Sequence, residues 1–304
     1  MKKCVLIYNP NSGKNKVIEQ LVDIVNLVNS YGYDVEVIET SYKGHAVSIV
    51  RDMEHVDLVM SFGGDGTFNE VMRGNFLRRN KLVLAHIPVG TTNDIGAMFG
   101  YGKNILKNVK LTLDGVIKDV DICTINDVPF IYVAGFGKYM DISYDTPRDI
   151  KKKLGYFAYI KEGIREFFTK TRMYDITYKV NGEEYRGLFS LILISSANHI
   201  AGVSNVYKDV KLDDDKFEVL FCNIRKKKDL IKSLYFLTKY DASKVPGLYF
   251  YRTNKLEITI NNKDKKCWGI DGEKLDDDSV TYKICNTRGV KIMIPRKNIG
   301  KLFL

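Results

Sequence analysis

The stretch SFGGDGTFNEV at residues 61–71 combines a flexible backbone with a carboxylate. Three of its residues are glycines: Gly63, Gly64 and Gly66. They permit left-handed φ angles and let a ligand approach backbone N–H groups, although a tight strand-to-helix turn would also use them. Thr67 and a following helix start would seat a phosphate group. Asp65 would repel that phosphate unless a cation lay between them, so the pattern favours metal-assisted phosphoryl chemistry.

The common nucleotide-binding motifs are missing from this sequence. A Walker loop needs a glycine five residues before Gly13-Lys14, but Tyr8 stands there, and Asn15 stands where Ser or Thr is required. No GxGxxG sequence opens a strand–helix–strand unit. A nucleotide site in this chain would therefore be of another type.

Composition limits the possible classes of protein. The chain has 304 residues, 45% of them hydrophobic, which suits one or two folded domains. Its 47 Lys and Arg exceed 37 Asp and Glu, and this net charge of +10 fits either anionic partners or a solvated basic surface. Five scattered cysteines without a CxxC pair count against a disulfide framework or structural zinc and favour a reducing, cytosolic compartment. Because no apolar run reaches about 18–20 residues, we expect only peripheral membrane contact.

The first third of the chain alternates strand-like and helix-like segments. This alternation predicts a parallel sheet with helices on both faces, and ligands then bind at the carboxyl ends of the strands. Three turn-rich loops, 9–14, 63–67 and 88–94, each follow a predicted strand and should share one edge of the sheet. The predicted strands are 4–8, 35–38, 56–62 and 82–87, and the predicted helices are 17–28, 45–53 and one from 68.

From about residue 119 the pattern becomes mostly β, with an Asn-Gly hairpin signal at 181–182. Helices are predicted at 154–168 and 229–240. The domain prediction is a nucleotide-binding α/β domain at 1–120, a β-rich lipid or substrate domain at 121–290, and a segment 291–304 that returns to the first domain. The predicted strands of this part are 121–125, 129–133, 173–180, 185–195, 217–222, 256–260, 280–285 and 290–294.

Four motifs occur together in order: NPNSGK at 9–14, GGDGTFNE at 63–70, PVGTTND at 88–94 and DGE at 271–273. Together they resemble the diacylglycerol kinase catalytic family, in particular its soluble bacterial lipid kinases, and the resemblance covers nearly the whole chain. GGDGT alone also occurs in phosphofructokinase-like and NAD kinase proteins. The segment SYDTPRDIKKKLGYFAYI at 143–160 is similar to the same bacterial enzymes. The resemblance implies a phosphofructokinase-like α/β domain followed by an antiparallel β-sandwich domain.

The resemblance also implies ATP and Mg²⁺ as cofactors and assigns site residues. Glu273 would be the catalytic base with Asp271 beside it, and Asp65 and Asp94 would face the phosphates and magnesium. The implied ATP site consists of Pro10, Asn11, Ser12, Gly13, Lys14, Thr40, Gly63, Gly64, Asp65, Gly66, Thr67, Phe68, Asn69, Glu70 and Thr91. The chemistry agrees, because an alcohol is a poor nucleophile and a positioned carboxylate should accept its proton as it attacks. Alone, DGE is more typical of a hairpin turn.

A structural metal is implied at the loop LDDDKF, 212–217, by the same resemblance. Asp214 would supply a carboxylate, and Lys211 and Lys216 would supply backbone carbonyl oxygens. Asp215 stands where the family has glycine, and aspartate tolerates left-handed φ better than most residues. Read alone, this stretch is a solvated acidic loop.

The leading hypothesis is a lipid kinase that converts diacylglycerol to phosphatidic acid. The alternatives are a kinase of another hydroxyl (a sphingoid base, phosphatidylglycerol or NAD) and a non-catalytic nucleotide- or lipid-binding regulator. No recognised motif supports nucleic-acid binding. Two basic runs, 151–153 and 225–228, could bind an anionic membrane surface, which would place the protein in the cytoplasm at the inner face of the membrane. Exposed edge strands in the second domain could form a homodimer.

Overall fold

The structure is a computed structural model of the chain. It describes residues 1–12, 16–90, 93–131, 133–138, 169–195, 199–200, 203–204, 210–237, 244–262 and 267–304. The backbone divides into two compact units. Unit 1 contains residues 1–122, 211–214 and 288–304, and unit 2 contains residues 123–210 and 215–287. The predicted helix 154–168, its lysines 151–153 and the segment 143–160 lie outside the described residues.

Unit 1 alternates strands and helices along its first 122 residues, as the sequence predicts. Its C-terminal part holds the end of β18 (Thr281–Ile294), a 3-10 helix (Arg296–Asn298) and α8 (Ile299–Leu302). The earlier elements are β1 (Lys2–Tyr8), α1 (Lys16–Glu19), α2 (Leu21–Ser30), β2 (Tyr33–Glu39), α3 (His45–Asp52), β3 (Leu58–Gly63), α4 (Asp65–Phe76), β4 (Val83–Pro88), α5 (Asp94–Met98), α6 (Ile105–Leu113) and β5 (Val116–Ile125).

The sheet of unit 1 is parallel, in the order β2-β1-β3-β4-β18. Leu6 pairs with both Val37 and Met60, and Met60 pairs with Ala85. These central strands are buried almost throughout, because helices cover both faces of such a sheet. Ile24 and Val28, one helical turn apart, are the buried residues of helix α2 and belong to the hydrophobic core of unit 1. The predicted parallel α/β architecture is confirmed.

Unit 2 is built from antiparallel pairs. The elements of unit 2 are β6 (Val128–Phe130), β7 (Val133–Gly137), β8 (Tyr174–Val180), β9 (Glu183–Phe189), β10 (Leu191–Ser195), β11 (His199–Ile200), β12 (Val203–Ser204), β13 (Phe217–Cys222), α7 (Lys227–Leu237), β14 (Leu248–Thr253), β15 (Lys255–Ile260), β16 (Gly269–Ile270) and β17 (Glu273–Lys274). One sheet runs from the first part of β18 through β15 and β8 to β9, and a second has the order β14-β13-β10-β7-β16-β17. One buried core, which includes Trp268, Phe136 and Tyr178, joins residues of both sheets.

The hairpin between β8 and β9 turns at Asn181 and Gly182, as predicted, with left-handed φ at both residues. The predicted strand 185–195 is wrong as one element: it is β9 and β10, which belong to different sheets. The chain changes sheets at Ser190, whose N–H donates to the Cys222 carbonyl at 2.8 Å. Conversely, the separately predicted strands 280–285 and 290–294 form the single strand β18.

The predicted helix 17–28 is interrupted at Gln20 and forms two helices, α1 and α2. The predicted strand 129–133 is likewise divided between β6 and β7. None of the helices in the described part of the chain combines the length and the apolar character needed to span a bilayer.

Candidate active site

Three loops meet at the carboxyl edge of the parallel sheet in unit 1. The Asn9 N–H donates to the Phe62 carbonyl at 3.1 Å, and the Val89 N–H donates to the Gly63 carbonyl at 2.8 Å. These bonds join the ends of neighbouring strands β1, β3 and β4. The sequence prediction that these loops share one edge is confirmed for their described residues.

The glycines of these loops allow close backbone packing. A Cβ on Gly90 would lie 2.6 Å from the Cα of Gly64, and one on Gly63 would lie 2.4 Å from the Thr67 hydroxyl oxygen. None of Gly63, Gly64 and Gly66 has a left-handed φ, so the loop does not use the freedom that glycine permits there. A Cβ on Gly66 would meet nothing within 4 Å, so the first turn of α4 borders open space there.

The carboxylate of Asp65 stabilises the start of helix α5. Its two oxygens accept hydrogen bonds from the backbone N–H groups of Asp94, at 2.9 Å, and Ile95, at 3.2 Å. An anionic group at a helix N-terminus interacts favourably with the helix dipole. Asp65 therefore ties the GGDGT loop to the loop after β4, and Asp94, 3% exposed, is held at that junction.

The N-terminus of α4 has the features of a phosphate seat. The helix has 12 residues, and its N-cap residue, Gly64, makes no side-chain cap. The Asn9 side-chain amide donates to the Thr67 hydroxyl at 3.4 Å, which holds Thr67 within the first turn. Backbone N–H groups and the dipole at such a helix end favour bound anions.

Two buried carboxamide oxygens at this edge have no hydrogen-bond partner among the residues that the structure describes. They are the Oδ1 atoms of Asn69 and Asn93, on α4 and just before α5. A buried polar atom without a partner is costly, which makes these oxygens candidates for a ligand or a bound cation. Carboxylate and amide oxygens are ligands that Mg²⁺ accepts, so the residues present fit a magnesium nucleotide.

Glu70 and Phe68 occupy structural positions. The Glu70 carboxylate accepts hydrogen bonds from the N–H groups of Gly44, at 2.9 Å, and Ala46, at 3.3 Å, at the start of α3. Phe68 is fully buried and stacks on His86, with ring centroids 4.8 Å apart. Their assignment to the ATP site stays a prediction, and the structure adds a packing role for each.

The first loop forms a tight turn after β1. The Asn9 side chain accepts from the Asn11 N–H at 2.9 Å, and the Asn9 carbonyl accepts from the Ser12 N–H at 3.0 Å. Pro10 lies between them, and buried Thr40 donates its N–H to the Tyr8 carbonyl at the end of the same strand. The remaining predicted ATP contacts, Gly13, Lys14 and Thr91, lie outside the described residues.

In unit 2, the two acidic residues of the DGE motif have different surroundings. Asp271 is 7% exposed with a left-handed φ of 47°, and its carboxylate accepts from the N–H groups of Ile131, at 2.7 Å, and Val133, at 3.1 Å. Glu273 is half-buried in β17, which pairs with β16. Asp271 therefore anchors the turn that carries Glu273.

The predicted metal loop contains the point at which the chain passes from unit 1 to unit 2. In unit 1, the Lys211 ammonium donates to the carbonyls of Gly300, Lys301 and Phe303 at 2.9–3.2 Å. Asp215 has a φ of 61°, the left-handed conformation that a glycine would adopt readily. Asp214, half-buried, precedes Asp215, and Lys216, exposed, follows it.

Sequence reasoning missed Asp121 as a residue beside this loop. Its side chain is 3% exposed on β5, and its N–H donates to the Leu212 carbonyl at 2.7 Å. An aspartate within an apolar strand pattern is the signal that could have drawn attention to it. In the described ranges, no three His, Cys, Asp or Glu side chains cluster as a metal site, and a loop that used backbone carbonyls would not form such a cluster.

The chain matches known proteins along most of its length. Residues 3–125 match the family model for the diacylglycerol kinase catalytic domain. A diacylglycerol kinase of Staphylococcus epidermidis is 30% identical over 260 residues, which cover 85% of this chain and 82% of that protein. This chain belongs to the diacylglycerol kinase family. It is therefore an enzyme of the lipid kinase class. A Bacillus subtilis diacylglycerol kinase is 28% identical over 276 residues, 90% of either chain.

Solved structures share the fold. A Bacillus anthracis structure described as a diacylglycerol kinase aligns with a TM-score of 0.77 at 21% identity and covers 98% of both chains. A second Bacillus anthracis structure aligns with a TM-score of 0.82 at 23% identity, and the alignment covers 98% of this chain and 97% of the chain in that structure. The predicted fold class, a parallel α/β part with an antiparallel β part, is confirmed.

Proposed function

We propose that this lipid kinase transfers the γ-phosphoryl group of ATP, with Mg²⁺, to the free hydroxyl of diacylglycerol and forms phosphatidic acid. The acceptor is supported by the name diacylglycerol kinase, which the relatives carry. The structural observation behind the proposal is the bond pattern of Asp65, which joins the GGDGT loop to the loop after β4 beside an uncapped helix N-terminus.

ATP would be held by the loops at the carboxyl edge of the unit 1 sheet. The N–H groups at the start of α4 would bind phosphate oxygens, and the open space at Gly66 would admit them. The unpartnered Oδ1 atoms of Asn69 and Asn93 offer acceptors for ligand donors or metal-bound water. The roles proposed for Pro10, Ser12 and Thr40 follow from their place beside this edge.

Magnesium would be held by Asp65 and Asp94 and would neutralise charge on the transferred phosphoryl oxygens. Asp65 accepts N–H bonds from Asp94 and Ile95, which hold its carboxylate at the start of α5. In this proposal the same carboxylate caps α5 and binds the cation.

The proposal assigns proton acceptance to Glu273. As the acceptor oxygen attacks the γ-phosphorus, its O–H proton passes to the carboxylate, a new P–O bond forms and ADP leaves. Asp271 acts as a positioning residue, since its carboxylate is engaged by the backbone N–H groups of Ile131 and Val133. The pair thus divides into one carboxylate that shapes the turn and one that takes the proton.

We also propose a structural cation at the 212–217 loop, held by Asp214 and by the carbonyls of Lys211 and Lys216. The left-handed φ of Asp215 supports it, because the loop keeps the conformation that the family glycine permits. The buried carboxylate of Asp121 on the strand bonded to this loop adds negative charge nearby. Such a cation would order the loop and take no part in phosphoryl transfer.

The proposed setting is the cytoplasm, with peripheral binding to the inner face of the membrane and no nucleic-acid partner. A homodimer is proposed through β9, which ends the strand order of its sheet and exposes Tyr185 and Leu188. An edge strand of this kind can pair with a second chain. Sedimentation of the parent and of a Leu188→Lys variant tests the dimer.

A lipid-acceptor screen tests the proposed function. The protein is incubated with γ-labelled ATP, Mg²⁺ and mixed micelles that contain diacylglycerol, a sphingoid base or phosphatidylglycerol, and separately with NAD. We expect the label in phosphatidic acid, with at most trace transfer to the other acceptors. Efficient transfer to NAD and none to any lipid would overturn the proposed acceptor.

A further inference from the structure

A surface cavity of about 390 Å³ lies beside the first turns of α7 in unit 2. Its volume is within the range of about 300–1,000 Å³ that small-molecule sites occupy. Three cationic side chains and one carboxylate contribute its charge: Arg225, Lys226, Lys232 and Asp229. Three positive charges less one negative charge leave +2, which favours an anionic occupant. Ile224, Phe236 and Pro246 form an apolar wall.

The cations of this cavity are exposed and make no ion pair with any residue of the described part of the chain. Lys232 lies over the Phe236 ring, 5.8 Å from its centroid, which holds its stem against the apolar wall. Asp229 is itself at the start of α7, where an acidic side chain stabilises the helix end. The positive charge is therefore available to an external anion.

Large apolar side chains are exposed on the same helix. Ile231 is 57% exposed and Tyr235 is 56% exposed, one helical turn apart. Lys228 lies three residues before Ile231, and Lys232 lies three residues before Tyr235. Residues three and four apart are neighbours on a helix surface, so the two apolar side chains and the two lysines form one strip. Lysines beside exposed isoleucine and tyrosine are typical of a helix that lies in a membrane interface.

We propose that the α7 face, defined as Arg225, Lys226, Lys228, Ile231, Lys232 and Tyr235, docks on a bilayer that contains an anionic phospholipid. A lipid phosphate occupies the cavity, and Ile231 and Tyr235 enter the headgroup region. The inference rests on the proposed function, because a kinase whose acceptor is dissolved in a bilayer must work at that surface. It names the part of the chain that makes the contact.

Two other occupants fit the face less well. A soluble anion would use the cavity, but it gives no reason for the exposure of Ile231 and Tyr235. A second copy of the chain in a two-fold dimer would place this cationic face against itself. Like charges at such an interface repel, which disfavours that assembly. A phospholipid surface satisfies the charge and the apolar strip together.

Vesicle sedimentation of the full chain tests the α7 face. Parent protein and a Lys228→Gln/Lys232→Gln variant are mixed with vesicles of phosphatidylglycerol and phosphatidylcholine, without ATP. The matched control is Lys103→Gln/Lys107→Gln, which removes the same charge from exposed positions in unit 1. Each lysine near an anionic surface is worth about fivefold in binding, so the α7 variant should bind on the order of twentyfold more weakly. The control should bind like the parent, as should Lys228→Arg/Lys232→Arg.

A second variant, Ile231→Ser/Tyr235→Ser, tests the apolar strip, and it should also lose vesicle binding while it melts like the parent. Unchanged binding by both α7 variants overturns the inference. A parent protein that binds glycerol phosphate but does not sediment with anionic vesicles would assign the cavity to a soluble anion and overturn it too. If the parent is a dimer and Ile231→Ser/Tyr235→Ser converts it to monomers, the α7 face binds a second copy of the chain, and the inference is overturned.

The binding readout separates this inference from the proposed function. A protein that phosphorylates no lipid, yet binds anionic vesicles through α7, would overturn the proposed function and support the docking face. A protein that phosphorylates diacylglycerol, yet binds vesicles equally well after the α7 substitutions, would support the proposed function and overturn the docking face. Phosphatidylcholine vesicles alone should retain little of any variant, since the cations find no net negative surface there.

Discussion

Asp65 accepts a hydrogen bond from the backbone N–H of Asp94 at 2.9 Å, across 29 residues of chain. The bond places a carboxylate of the GGDGT loop at the N-terminus of α5, where its other oxygen accepts from Ile95. Asp65 thereby has a structural role that the sequence alone did not indicate, in addition to its proposed role toward magnesium. The two roles predict different consequences for different substitutions.

Substitutions at Asp65 separate the two roles. Asp65→Ala removes both acceptors and should lower the free energy of unfolding by about 1–2 kcal/mol, together with turnover. Asp65→Asn keeps one carbonyl acceptor, so it should melt closer to the parent and still lose most of its turnover. Thermal melts and steady-state assays on both variants check this. An Asp65→Asn enzyme with parental turnover would show that magnesium does not require the negative charge of Asp65.

The acidic residues of the DGE turn should also behave differently. In the Asp271→Asn variant, the N–H groups of Ile131 and Val133 would face an amide NH₂ group or a weaker acceptor oxygen. This substitution should lower the free energy of unfolding by about 2 kcal/mol and also reduce turnover. Glu273→Gln should leave the melting temperature near that of the parent and lower turnover by at least about 100-fold. Parental stability of Asp271→Asn would argue against the anchoring role.

Acid sensitivity should follow from His86. Burial lowers the pKa of this imidazole from 6.5 to about 3. The unfolded chain then binds a proton that the folded chain does not, so stability is full above pH 6.5 and falls as the pH drops toward 3. The folding equilibrium should weaken by up to about tenfold per pH unit in this window.

Denaturant unfolding of the parent and of His86→Leu at pH 7 and pH 5 measures this contribution. The substitution should reduce the loss of stability between the two pH values, whatever it does to stability at pH 7. Equal losses in both proteins would show that His86 does not account for the acid sensitivity, because the carboxylates titrate in both.

The proposed structural cation can be tested through its loop. Asp214→Ala should lower both the melting temperature and turnover, while nucleotide affinity changes little, since none of the predicted ATP contacts belongs to this loop. A chelator should lower the melting temperature of the parent and have a smaller effect on Asp214→Ala. A parent that melts at the same temperature with and without chelator would contradict the cation.

Local patterns in the sequence were sufficient to predict the parallel sheet and the position of the loops. Strands β1, β3 and β4 are short apolar runs that end in turn residues, and parallel connection places their carboxyl ends together. The partners of individual side chains were not predictable in this way. Glu70 accepts from Gly44 and Ala46, which are 26 and 24 residues away, so its helix-capping role depends on tertiary packing.

The predicted strand boundaries were wrong where the pairing partner of a strand, and not the local sequence pattern, determines where that strand ends. Ser190 interrupts an apolar run because its backbone bonds to Cys222 and Lys138, which moves the following residues into another sheet. Separate strands were predicted at 280–285 and 290–294, yet β18 continues through residues 286–289, with Gly289 at a φ of 116°. Neither outcome has a signature in the neighbouring residues.

The most direct test of the account is transfer of label from γ-labelled ATP to diacylglycerol in mixed micelles with Mg²⁺, for the parent and for Glu273→Gln. The account predicts labelled phosphatidic acid from the parent, at least about 100-fold less from Glu273→Gln, and equal nucleotide binding by both. A parent that labels no lipid would contradict the proposed kinase activity, and a Glu273→Gln protein as fast as the parent would contradict the proposed base.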